Sequence, residues 1–170
     1  LEMVQPKPEL RRFIHQWGGL SLTGDTSEQA LCVWWGTGKN GKSTLFNVWA
    51  GIAGDYGRSI AIETFLDQGT PKQGGQATPE LAMLRGVRFL RTSEPERGAK
   101  LAEALVKLAT GGEPMNVRNL HNDFFEMTPQ FKLTIGGNYK PQISGSDEGI
   151  WRRVKLVPWT VAIPAERRIK

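Results

Sequence analysis

Cysteine is nearly missing from this chain: Cys32 stands alone among 170 residues, so no internal disulfide can form and a four-thiolate zinc site is excluded. Histidine is almost as scarce. His15 and His121 share no ligand spacing with each other or with Cys32, which leaves no structural metal to expect. No apolar run reaches the roughly 18 residues that a membrane-crossing helix requires. Neither a basic-then-apolar leader nor an internal repeat is legible. The expected setting is therefore intracellular, with no membrane partner. A first residue other than Met and a charged end at 166–170 suggest a piece of a longer protein.

A length of 170 residues suits one domain with a core of ordinary size. The net charge of +5 is unevenly placed. Residues 1–96 hold ten basic and ten acidic side chains, whereas residues 97–170 hold twelve and seven. A basic excess gathered in one part of the chain fits a phosphate-backbone partner, although a solvated basic face is the commoner explanation of a modest excess.

The most informative stretch is GTGKNGKST, which satisfies GxxxxGK[ST] with Gly36, Gly41, Lys42 and Ser43. A loop that cradles phosphate must turn its backbone N–H groups inward, which takes glycine's conformational freedom; Gly36, Gly38 and Gly41 are the candidates. Thr37, Lys39, Asn40 and Thr44 complete the loop. Lys42 is placed to reach the β- and γ-phosphates, the Ser43 hydroxyl to ligate Mg²⁺, and the following helix to aim its positive end at the same charge. Flanking sequence supports this. LCVWW, residues 31–35, reads as a buried strand that puts Cys32 in the core, and residues 42–53 carry Leu45, Val48, Trp49 and Ile52 at helical spacing.

Elsewhere the periodicities predict a helix over 8–17 closed by Gly18-Gly19, a glycine-rich surface loop over 67–78, and a helix over 79–84 capped by Thr78. Residues 59–65 are ambiguous. Residues 87–92 read as a strand that delivers Glu94 and Glu96 to its end, where a carboxylate of a P-loop ATPase holds Mg²⁺ or polarises the attacking water. A helix over 99–110 with Leu101, Leu105 and Leu108 on one face follows. MNVRNL and DFFEM outline a hairpin around His121-Asn122, with Arg118, Asn119 and His121 near its tip. A strand over 131–135 leads to Asn138, a helical turn spans 147–152, and a last strand covers 154–157. Strands that alternate with helices after a P-loop predict an α/β fold with a mainly parallel sheet flanked by helices, plus a β-hairpin. The expected organisation is a short N-terminal helix and linker (1–30), an ATPase core (31–163) and a truncated C-terminal extension (164–170). Trp34, Trp35 and Trp49 fall within core elements and are expected to pack there.

Taken in order, GTGKNGKST, SEPE, TGGEP, FKLTIGGN and IWRRVKLVPW resemble the superfamily 3 helicase domain of phage and plasmid primases, akin to the poxvirus and satellite-phage types. The likeness runs from about Pro8 to Pro164. It implies a P-loop NTPase with an AAA+-like core that uses ATP and Mg²⁺. It further implies a homo-oligomer, a hexameric ring, that translocates on single-stranded DNA or a forked duplex and is joined to a primase domain in the full-length protein, in a bacterial host or encoded by a prophage. By this resemblance Glu94 matches the Walker B acid, with Ser43 as its partner on the metal, although Ser93 and Pro95 leave the choice between Glu94 and Glu96 open. Asn138 matches the polar residue that positions water, Arg153 the arginine finger with Arg152 as its rival, and the Arg118–His121 hairpin the region that grips the DNA backbone. Two other readings compete. An ATP-dependent module that clamps or loads DNA without unwinding would share these parts, and a small-molecule kinase would share only the P-loop.

Overall fold

Leu31–Trp35 forms β1, whose unbroken apolar run suits a strand covered on both faces. It pairs in parallel with Lys132–Gly137 (β6) on one side and Val154–Pro158 (β7) on the other. Phe89–Thr92 (β3) lies beyond β6, and Gly57–Ile60 (β2) closes that edge. The order β2-β3-β6-β1-β7 makes five parallel strands among the described residues, which are 1–69 and 77–168 of a computed structural model. This is the expected α/β sheet, and the strand β2 accounts for part of the segment that sequence left ambiguous. Two further strands, Met115–Val117 (β4) and Phe125–Met127 (β5), pair antiparallel as the expected hairpin.

Alternation along β1 divides the core. Leu31 and Val33 face a cluster that includes Ile60, Phe65, Leu90, Leu133 and Ile135, whereas Cys32 and Trp34 face one that includes Trp17, Phe46, Phe89 and Trp159. The first side is covered by Pro79–Ala82 (α3), Glu103–Gly111 (α4), Glu148–Trp151 (α5) and the hairpin; the second by Pro8–Thr23 (α1) and Lys42–Ala53 (α2). No helix among the described residues is long and apolar enough to cross a membrane.

Several expectations shift. Gly18-Gly19 does not end α1, which runs on to Thr23 and closes at Gly24, φ 78°. Gly18 instead makes room: a Cβ there would come within 2.6 Å of the Trp49 ring. In α2 the buried residues are Lys42, Phe46 and Ala53, while Val48 and Ile52 are exposed. In α4 the buried residues are Val106, Ala109 and Thr110; Leu101 precedes the helix and Leu108 is partly exposed. Both sequences carry apolar residues on more than one face, so spacing alone could not choose the inward one. Helix α3 is shorter than expected, and Thr78 does not cap it by its side chain but pairs with Arg118. Most of the expected loop over 67–78 lies outside the described residues.

Candidate functional site

The loop between β1 and α2 is held from behind by the segment after β7. Gly36 donates its N–H to the Gly137 carbonyl at 3.1 Å, and a Cβ on Gly36 would meet the Trp159 carbonyl oxygen at 2.0 Å. Only glycine fits there. The left-handed positions are Lys39, φ 66°, and Gly41, φ 82°, whereas Gly38 has open space and shows no such φ. Asn40 is the loop's brace, a role the motif does not reveal. Its buried amide donates to the carbonyls of Thr37 at 2.5 Å and Trp159 at 2.8 Å, and its oxygen faces the Lys42 ammonium at 3.3 Å. The Ile163 N–H donates to the Lys39 carbonyl at 2.7 Å, and the Gln5 amide to the Pro158 carbonyl at 2.7 Å.

Lys42 opens α2 with its ammonium turned back on the Gly36 carbonyl at 2.5 Å. Burial lowers its pKa from the usual 10.5, and Glu94 opposes that shift. Ser43 and Thr44 follow, both exposed, at the end of the helix where N–H groups lack intrahelical acceptors. A cleft of about 520 Å³ runs from here across the C-terminal ends of β3 and β6 and is lined by Lys42, Ser43, Arg91, Glu94 and Asn138.

The two carboxylates part company. Glu94 lines the cleft and accepts the Asn138 N–H at 2.6 Å; Glu96 does not line it. The pair of glycines in FKLTIGGN explains this approach. A Cβ on Gly136 would meet the Phe46 ring at 2.2 Å, and one on Gly137 would meet Pro95 at 2.8 Å and Glu94 at 3.0 Å. Gly136 lets α2 close on the sheet and Gly137 lets Glu94 close on Asn138. Beneath them Trp34 stacks on Phe46 at 4.5 Å and contacts Trp49 and Trp159, both at 5.1 Å, so these tryptophans serve packing. Trp35 lies under the Lys140 ammonium at 4.6 Å.

The arginine pair precedes β7, at the opposite end of the strands from the P-loop. Arg153 is buried, and its guanidinium donates to the Gly149 carbonyl at 2.6 Å, the Thr110 hydroxyl at 3.2 Å and the Gln29 side chain at 3.3 Å. It ties α5, α4 and the approach to β1 together. Burial is the first cause lowering its pKa, followed by neighbouring Arg152. Arg152 is exposed, and among the described residues its guanidinium bonds the Gln29 side chain alone, at 2.5 Å. In the hairpin, the register Val117↔Phe125 leaves residues 118–124 as the connection. Arg118 sits at its base, half-buried, with its guanidinium 4.7 Å from the Phe124 ring; Asn119, Leu120 and His121 are exposed, and His121 has φ 60°. The tip thus starts one residue later than expected.

Protein L207/L206 of Acanthamoeba polyphaga mimivirus, which carries a helicase name, is 31% identical over 94% of this chain and 16% of its own length. The helicase-named 022R of Frog virus 3 is 29% identical over 92% of this chain and likewise 16% of its own length. The chain thus spans about a sixth of these relatives. No protein-family model matches it. Among solved structures, the apo C-terminal region (305–718) of NrS-1 superposes with a TM-score of 0.74 at 14% identity, over 100% of this chain and 39% of that one. JCV helicase superposes at 0.53 and 12% identity, over 93% and 43%. Both likenesses are of fold.

Proposed function

The chain is similar to the superfamily 3 helicase domain of primase-helicases, and from that premise we propose that it is the ATP-hydrolysing motor of a DNA helicase. The observation that carries this is the shared cleft. Lys42, Ser43, Glu94 and Asn138 line one cavity between a phosphate-type loop and the ends of two neighbouring strands, with Glu94 bonded to the Asn138 N–H at 2.6 Å.

Each residue then has a chemical task. The loop N–H groups and the start of α2 receive the phosphates, and the Lys42 ammonium exchanges the Gly36 carbonyl for phosphate oxygens. Glu94 orients and polarises the attacking water, and Asn138 holds it in line. Ser43 and Glu94 suit Mg²⁺, which commonly takes one or two protein oxygens beside those of the nucleotide; the ion, when bound, neutralises charge on the β- and γ-phosphates.

Arg152 is the arginine we propose for a neighbouring subunit's nucleotide, because Arg153 is committed to its own core. Such a role requires an oligomer, for which a hexameric ring is the proposed form. The connection 118–124 is the proposed contact with single-stranded DNA, neutralising phosphates without reading bases. Strand displacement on a forked duplex by the full-length protein tests the assignment. ATP-dependent displacement is expected; single-stranded DNA binding and hydrolysis without displacement would leave a loading module.

A further inference from the structure

Arg91 has no part in the machinery described so far. Its register partners are Ser59 on β2 and Thr134 on β6. Thr134 accepts from the Trp17 indole of α1 at 2.8 Å, so this is the sheet face turned toward α1 and α2. Phe89, two residues earlier on the same face, packs against Phe46 and Trp49. Arg91 stands one step further along the strand, where that packing gives way to the cleft. Its guanidinium donates to the Asn47 side-chain oxygen at 2.8 Å, and among the described residues no carboxylate pairs with it. Asn47 is one helical turn after Ser43 on α2, so the guanidinium lies beside the turn that carries the proposed Mg²⁺ ligand.

The cleft lining contains Lys39, Lys42 and Arg91 against one carboxylate, Glu94. A guanidinium offers five donors in a planar fork, matched to phosphate, and here one bond to a neutral amide is made. We propose that Arg91 is a further nucleotide-binding residue acting within its own subunit: its guanidinium holds the terminal phosphate and lets the site distinguish a nucleoside triphosphate from a diphosphate. This rests on the nucleotide reading above. The terminal phosphate is the one in reach of β3, because that strand, ending at Thr92, leads two residues on to Glu94, the residue assigned to the attacking water. Asn47 holds the guanidinium when that phosphate is gone. Exchanging a neutral amide for a phosphate replaces one bond by a stronger, charge-assisted pair.

A purely structural Arg91, tying β3 to α2 through Asn47, makes a different forecast. Binding of an imido analogue of ATP and of ADP, each with Mg²⁺, separates the two in the wild type, Arg91→Gln, Arg91→Lys, Asn47→Ala and Lys42→Ala. Arg91→Gln should weaken the triphosphate analogue about tenfold and move ADP less than about twofold. Arg91→Lys should recover part of the loss, and Asn47→Ala should keep the wild-type preference. Equal weakening of both nucleotides by Arg91→Gln, no weakening of either, or the same loss in Asn47→Ala overturns the assignment. Lys42→Ala separates this failure from a wider one: if it loses both nucleotides while Arg91→Gln loses neither, the nucleotide site stands and Arg91 has no part in it. A wild type that binds neither nucleotide removes both proposals.

Discussion

Lys42, Glu94 and Arg152 are the residues on which the proposed mechanism turns, and Arg153 is the core tie beside them. Lys42→Ala removes the cation aimed at the phosphates while leaving the loop's braces at Asn40 and Gly36 in place, so nucleotide binding should fall sharply without loss of fold. Binding and circular dichroism measured together would show it. Glu94→Gln should keep binding and lose turnover, because an amide accepts hydrogen bonds but is a far weaker base; Glu96→Gln, outside the cleft, should turn over normally. Reversed results would move the assignment to Glu96. For the arginines, Arg153→Ala strips bonds from three buried or half-buried acceptors and should cost about 2–3 kcal/mol in urea unfolding. Arg152→Ala should leave stability within about 0.5 kcal/mol and lower hydrolysis.

At the scale of elements, two adjacent glycines of α1 give opposite expectations. Gly18→Ala pushes a methyl into the Trp49 ring and should destabilise by about 1–3 kcal/mol. Gly19→Ala meets open space in a helix interior and should stabilise by about 0.5–1 kcal/mol. Thermal melts of the two variants decide it. Asp147 caps α5 through the Gly149 N–H and pairs with Lys107; that pair first, and the cap second, hold its carboxyl below the ordinary 3.8. As pH falls, the unfolded carboxyl takes its proton before the folded one, so this contribution is present above about pH 4 and disappears below it. Asp147→Ala should therefore flatten the acid limb of a stability-against-pH curve.

The elements also show what sequence can and cannot disclose. β1 and α2 were legible to the residue because a buried strand, a phosphate-type loop and a helix start leave strong local signals. The faces of α2 and α4 were not, since the choice of inward face is made by partners such as Trp34 and Gly136, distant in sequence. Gly18 looked like a stop for the same reason: its neighbour Trp49 is visible only in three dimensions. Arg153 and Arg152 are adjacent letters with no local feature to tell a core tie from an exposed cation.

For the whole molecule, the arginine pair and the P-loop lie at opposite ends of the sheet, so a finger role joins residues from different subunits. Mixing Arg152→Ala with Lys42→Ala should restore part of the activity that each lacks, because some borders then unite an intact loop with an intact arginine. Mixed assemblies that form and stay inactive would contradict a shared site. The most direct measurement of the central claim is Mg²⁺-dependent ATP hydrolysis by this chain with and without single-stranded DNA, with Lys42→Ala as the blank. A motor domain predicts turnover above the blank that rises when DNA is added; turnover indistinguishable from Lys42→Ala under both conditions would contradict it.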